Sequence, residues 1–264
     1  YFTKIPNKYI RKNITEEFGV SRKLFIIYIL IDKHRSYEDM SWLSLEDILS
    51  HCRYYPKRLR KDNKWYIEIV TILNHLQQEK LIKLNTDINK ISYDSVIKLD
   101  IIPEVFDISG NFTILDVNEF NNILSSTSVI TTENLMHVYL YVKSYMFAKK
   151  SNENKYSTSS KGVGSFYKEV SIISDDIGLS NKTVISCLDE LVNLNLLIKH
   201  ETGSCIKKKR GKECVENVPN IYVLNNENAS KEIDLTIHKL KNYYGVDDFN
   251  PYIGKDKIKN KNNI

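Results

Sequence analysis

The stretch Ser171–Gly203, SIISDDIGLSNKTVISCLDELVNLNLLIKHETG, decides how this chain is read. Ile172, Ile173 and Ile177 have the spacing of a short apolar-faced helix, which stops at Gly178, a residue that takes the left-handed backbone of a tight helix exit at little cost. Leu179 fills the turn and Ser180 is a good N-cap for the next helix. That second helix carries Val184, Ile185, Leu188, Leu191 and Val192, one buried face at helical spacing. Its other face opens with Asn181, Lys182, Thr183 and Ser186, short or flexible donors and acceptors at the positions where a helix-turn-helix meets base edges. Leu196–Ile198 reads as a strand, Ile206–Lys212 as a basic loop and Ile221–Leu224 as a returning strand. Strand, basic tip and strand after such a helix is the order of a winged helix.

With these residues in place, VSI…DDIGLSNKTV…L..L…LLIK closing on VPNIYVLN (Val218–Asn225) resembles the winged-helix domains of replication initiator proteins of Gram-positive plasmids and phages. More loosely it is similar to bacterial winged-helix transcription regulators. The close resemblance covers roughly a quarter of the chain and is specific for fold rather than for pathway.

Sliding the chain along itself finds a second copy. KLIK at Lys80–Lys83 matches LLIK at Leu196–Lys199, which lays Ile69, Ile72 and Leu76 on Ile185, Leu188 and Val192. Upstream, Arg22–Arg35 reads as a buried helix. Ser44 caps a short helix, Leu45–His51, with Asp47 three residues on. A longer turn, CRYYPKRLRKDN, replaces the Gly-Leu-Ser corner, and Asn63–Glu79 takes the place of the reading helix, presenting Lys64, Tyr66, Glu68 and Thr71 outward. The alternative is that Trp65, Ile69, Leu73 and Leu76 merely pack a helical domain. Leu81–Leu84 and Val96–Ile101 would be the strands, with a polar tip at Asn85–Lys90.

The expected fold class is therefore α+β, mainly helical: two tandem winged-helix (helix-turn-helix) domains plus a C-terminal helix and a basic tail. Residues 1–102 form the first domain, 103–111 a linker around Pro103 and Gly110, and 112–229 the second domain, while 230–264 hold the C-terminal helix and a disordered tail. In that last helix, capped by Ser230, Ile233, Ile237, Leu240 and Tyr244 share one face. The stripe has two open fates, self-association as a homodimer or folding back on the second domain's first helix.

A length of 264 residues, 42% hydrophobic and 27% charged, describes an ordinary globular chain, and the net charge of +5 is no polycation. The positive charge is local. Arg53, Lys57, Arg58, Arg60, Lys61 and Lys64 stand against one acid, Asp62. Lys199, Lys207, Lys208, Lys209, Arg210 and Lys212 mark the second tip. The longest apolar run, Leu24–Ile31, is too short to span a bilayer and lacks the cleavage site of a signal peptide. Cys52, Cys187, Cys205 and Cys214 form no CxxC pair and read as free cytosolic thiols, which places the chain in the cytoplasm.

No glycine-rich loop matches a nucleotide-binding fingerprint, and the six histidines lie singly, without the His-x-His pair of a rolling-circle nickase. Cys205 and Cys214 with His200 lack the spacing of a zinc site. No catalytic residue, metal or cofactor is expected, and the chain reads as a non-enzyme. What the resemblance implies is a sequence-specific double-stranded-DNA-binding protein that initiates replication of a plasmid or phage at origin repeats, with host replication proteins as partners and no membrane. Asn181, Lys182, Thr183 and Ser186, with Lys64 and Tyr66, would then touch bases. Arg53, Lys57, Arg58, Arg60 and Lys61, and Lys207, Lys208, Lys209, Arg210 and Lys212, would contact phosphate or enter the minor groove. A transcription regulator of the same architecture and a non-enzymatic dock for helicase-loading partners are the alternatives.

Overall fold

The structure, a computed structural model, describes residues 2–56, 60–102, 111–146, 164–209 and 212–251. The chain divides into two compact units, one formed by Tyr1–Ser144 with Ile173–Leu194, the other by Tyr145–Ile172 with Asn195–Ile264.

The first unit begins with strand β1 (Phe2–Pro6) and two short helices, α1 (Asn7–Ile10) and α2 (Ile14–Phe18). Helix α3 (Lys23–Lys33) follows and is buried from Lys23 to Asp32. A helix apolar on every side cannot lie on a surface, so α3 runs through the core. Strand β2 (Met40–Ser44) leads into α4 (Leu45–His51), where the Ser44 hydroxyl accepts from the Asp47 amide at 2.9 Å and the Asp47 carboxylate answers the Ser44 amide. This reciprocal box satisfies two amides that a helix start leaves open. Helix α5 (Lys64–Gln78), strands β3 (Ile82–Leu84) and β4 (Val96–Ile101), strand β5 (Phe112–Asp116) and helices α6 (Val117–Ser125) and α7 (Thr132–Met146) complete the first segment. Helix α8 (Val170–Ile177) crosses the division, and α9 (Asn181–Asn193) returns the chain to this unit.

The second unit contains β6 (Ser165–Phe166), β7 (Leu197–His200), the hairpin of β8 (Gly203–Lys209) and β9 (Lys212–Val218), β10 (Ile221–Leu224) and α10 (Ala229–Tyr244). Its core is Cys205, Val218, Ile221, Val223, Ala229 and Leu240, covered by Ile198, Ile233, Ile237, Tyr244, Val246 and Phe249. The stripe of α10 is thus used inside its own unit, against strands rather than against the predicted first helix of a second domain. Its start also differs from the predicted Ser230 cap: Asn228 holds the cap position without a side-chain hydrogen bond.

Among the described residues the strand pairs are antiparallel, in sheets β1–β5, β2–β4–β3, β6–β10–β7 and β8–β9. Two three-stranded sheets share a plan, with the last strand central. Ser41 faces Leu99 across β2 and β4 as Phe166 faces Tyr222 across β6 and β10, and Ile82 faces Ile101 as Leu197 faces Leu224. The repeat is therefore structural, but its register differs by one residue from the match of KLIK to LLIK. Lys80 (φ 57°) falls on Asn195 (φ 55°), a shift of 115 residues rather than 116, and Ile82 falls on Leu197. Upstream, where the first copy's turn is ten residues longer, the shift is 125, and Arg53 (φ 57°) takes the left-handed place of Gly178 (φ 65°). The amide after each bonds back to the helix, Tyr54 to Leu49 and Leu179 to Ser174.

The expectation of two tandem winged-helix domains does not survive. The chain is α+β with several small antiparallel sheets, and neither predicted domain is a separate body. Strand β1 pairs with β5 along Phe2–Pro6 and Phe112–Asp116, across the predicted linker, most of which lies outside the described residues. Helix α9 belongs to the first unit, whereas β6, β7 and β10 belong to the second. The local motifs were legible because they follow from nearest neighbours; the long-range pairing that distributes them was not. The predicted basic loop is also wrong in kind: Gly203–Lys209 and Lys212–Val218 form a seven-rung ladder.

Candidate nucleic-acid interface

Helix α9 presents the strongest candidate surface. Ser180 starts it as expected, its hydroxyl accepting from the Thr183 amide at 3.1 Å. Val184, Cys187, Leu188 and Leu191 face inward and are buried. Asn181, Lys182, Ile185 and Asp189 are exposed, with Thr183 and Ser186 half-buried beside them. Ile185, assigned to the core by its spacing, is 47% exposed. The buried stripe runs through Val184 instead, because adjacent residues on a helix lie about 100° apart and only one of the two can head the stripe.

The turn before α9 is fixed by groups far away in sequence. The Arg22 guanidinium donates to the carbonyls of Ile177 (2.6 Å) and Gly178 (2.8 Å), which places a positive charge at the carbonyl end of α8. Its Nε donates at 3.3 Å to Nδ1 of His137, whose Nε2 donates in turn to the Ile10 carbonyl at 2.9 Å. These partners fix the neutral tautomer, and burial pushes the imidazole pKa down to about 3. Tyr141 donates to the Asp176 carboxylate of α8. Ser126 donates to Glu190 on α9, and Asn122 donates to the Leu194 carbonyl at its end. The turn between the two helices and the C-terminal end of α9 are therefore both hydrogen-bonded to distant residues of the first unit. Nothing in the local sequence announces Arg22, His137 or Asn122 as part of this arrangement; the only hint was a lone arginine and histidine on otherwise apolar helices.

The first-copy helix fares differently. Lys64 is exposed at the start of α5, where Asn63 caps through the Trp65 amide. Tyr66 is not outward: it is 6% exposed, and its hydroxyl donates to the Ile88 carbonyl at 3.1 Å. The predicted polar tip supplies that acceptor, since Ile88–Lys90 is a single 3-10 turn that buries Ile88. Glu68 is not outward either. It pairs with Lys23, which also lies 3.8 Å from Glu133 and sits 4.0 Å above the Trp65 ring. What α5 does expose is Lys64, Ile67 and Thr71. Each of the two helices thus exposes one isoleucine among polar residues, Ile67 on α5 and Ile185 on α9.

The predicted phosphate contacts divide in the same way. Arg60 is exposed, but Arg53 is spent on the carbonyls of Leu124 and Ser126, and Lys61 reaches the Asn89 carbonyl. Lys57 and Arg58 lie outside the described residues, as does Arg210. Lys207 lies over the Tyr244 ring at 4.3 Å and 3.6 Å from Glu216. In backbone register, Lys208 pairs with Glu213 and Lys209 with Lys212 in the last two rungs of the hairpin. Charge is unequally shared: the first unit holds 20 Lys and Arg against 22 Asp and Glu, the second 18 against 11. The described residues of the second unit are balanced, 9 Lys and Arg against 9 Asp and Glu, so its surplus falls on residues outside the described ones.

Among the described residues no cluster of three or more His, Cys, Asp or Glu is placed to hold a metal, and no helix is long and apolar enough to cross a membrane. Comparison of the chain with protein-family models and with curated proteins finds no match.

Proposed function

We propose that this chain is a sequence-specific double-stranded-DNA-binding protein, acting in the cytoplasm, that reads base edges with α9 and draws phosphate attraction from the lysine-rich stretches of its sequence. The observation that carries the reading is α9 itself: one face is wholly buried, the turn before it and its C-terminal end are tied by hydrogen bonds from Arg22, Ser126 and Asn122, and the outward face opens with Asn181, Lys182, Thr183 and Ser186. A reading element must be rigid, because loose side chains and backbones lose ordering entropy on binding. The chain's net charge of +5, carried by lysine-rich stretches such as 149–161 and 255–261, favours the sequence-independent attraction that duplex DNA demands. Free thiols at Cys52, Cys187, Cys205 and Cys214 suit a reducing compartment. Replication initiation at plasmid or phage origin repeats is the role we infer from the Val170–Asn225 resemblance.

Fluorescence anisotropy of the full chain on duplexes tests the binding. Affinity is expected to fall steeply as salt rises from 50 to 200 mM, on the order of tenfold or more if several phosphates are contacted. Salt-independent binding, or none, would reject a DNA-binding role. Footprinting on the DNA flanking the protein's own gene tests the finer role: protection of repeated sites supports an initiator, and one promoter-overlapping site supports a regulator instead.

A further inference from the structure

We infer that Ile185 is a specificity-determining residue that reads the 5-methyl group of thymine in the major groove, an inference resting on the proposed base-reading role of α9. Ile185 lies at the centre of the exposed stripe, one turn after Lys182 and one turn before Asp189, with Ser186 at its side. It is a β-branched apolar residue left 47% exposed on an otherwise polar face. Neither helix propensity nor burial explains it there, because isoleucine is a poorer helix former than alanine and this side chain is turned away from the core. At the equivalent place in the first copy Val70 is half-buried, and the exposed isoleucine of α5, Ile67, lies one turn nearer its helix start.

The chemistry of the surroundings selects the occupant. Lys182 and Ser186 offer donors suited to guanine O6 and N7, to either base edge or to phosphate, and these need a polar partner with acceptors. The one apolar group that B-DNA displays among such acceptors in the major groove is the thymine methyl. A helix face with a donor, an apolar branch and a hydroxyl within two turns therefore matches a base step that contains thymine beside an acceptor-bearing base.

Uracil pairs as thymine does and lacks only the methyl, so it isolates the contact. Sites are first enriched from a pool of random-sequence duplexes with the full chain, and each thymine of a recovered site is then replaced singly by uracil. At one or two thymines the replacement is expected to weaken the wild-type protein about fourfold per methyl group, the value of one buried carbon. Ile185→Ala is expected to show no loss at those same positions while keeping its thermal midpoint. Equal losses in both proteins assign the methyl to another residue and overturn the inference, as does the absence of any uracil effect on an enriched site. Failure to enrich any sequence removes the base-reading role, and the inference with it.

Discussion

Lys80 and Asn195 hold the same left-handed backbone, φ 57° and 55°, at equivalent points where each copy's second helix gives way to a strand. Asparagine tolerates that conformation through local hydrogen bonding, whereas lysine meets the full clash of its Cβ with the backbone. Lys80 is exposed, so its side chain is dispensable. Lys80→Gly is expected to stabilise the first unit by about 1 kcal/mol, and Asn195→Gly to have a smaller effect. Urea midpoints followed by tryptophan fluorescence measure the first of these, since Trp42 and Trp65 both belong to that unit. A lowered midpoint for Lys80→Gly would show that the turn depends on the lysine.

The same pair shows what a sequence alone can and cannot yield. Helix limits were legible from short-range chemistry: Ser44 and Asp47 box α4, Ser180 caps α9, and Gly178 closes α8 in the left-handed region. Faces were legible only to within one residue. Val184 and Ile185 are equally apolar, and only Val184 heads the buried stripe that Cys187, Leu188 and Leu191 continue. Matching letters set the repeat one step out of register, where backbone conformation at Lys80 and Asn195 corrects it. Least legible was the assembly of distant pieces. Pairing of Phe2–Pro6 with Phe112–Asp116 spans more than a hundred residues, and generic apolar alternation does not say which strand meets which.

Arg22 is the residue whose loss should be felt most at the proposed reading helix. Its guanidinium satisfies two carbonyls and the His137 ring nitrogen in one half-buried place. Arg22→Ala is expected to cost about 2–3 kcal/mol of stability, the range for hydrogen bonds from a charged group. Arg22→Lys should fall between, because an ammonium cannot span all three acceptors in a plane. A change near zero for Arg22→Ala would mean that water replaces the guanidinium without loss.

His137 should make the first unit acid-sensitive. Burial holds its folded pKa at about 3, below the ordinary value of 6.5. Above pH 6.5 both folded and unfolded forms are neutral there, and the group adds no pH dependence. Below it the unfolded chain takes a proton that the folded chain refuses, so stability falls as pH drops from 6.5 towards 3, by up to about 1.4 kcal/mol per pH unit. In His137→Gln a neutral amide can replace the Nε2 donor without titrating. Urea midpoints between pH 7 and pH 4 should fall less steeply in that variant, and identical slopes would dismiss the histidine as the cause.

Tyr66 separates a structural role from a reading one. With its hydroxyl bonded to the Ile88 carbonyl in a buried setting, Tyr66→Phe leaves that acceptor without its donor. The expected cost is about 1 kcal/mol of stability, with specific and nonspecific DNA affinity both unchanged. Weakened binding to an enriched site at unchanged stability would return Tyr66 to the interface.

Gly203 should be the least replaceable of the described glycines of the second unit. Its φ is +103°, and a Cβ there would stand 2.1 Å from the Asn250 backbone carbonyl oxygen. That oxygen accepts from the Ser204 amide at 2.7 Å, and the Asn250 amide donates back to the Ser204 carbonyl at 2.8 Å. An alanine cannot enter without driving Asn250 off the edge of β8, which would break both bonds and strain the backbone of residue 203. The loss is expected to be about 3 kcal/mol, from two hydrogen bonds near 1 kcal/mol each and the remainder from strain. Hydrogen exchange reads it locally: the amides of Ser204 and Asn250 should exchange far faster in Gly203→Ala, while the first unit's core amides on α3 stay protected. If the two amides keep their wild-type protection, Asn250 has followed the displaced strand and the bridge is more pliable than its geometry implies.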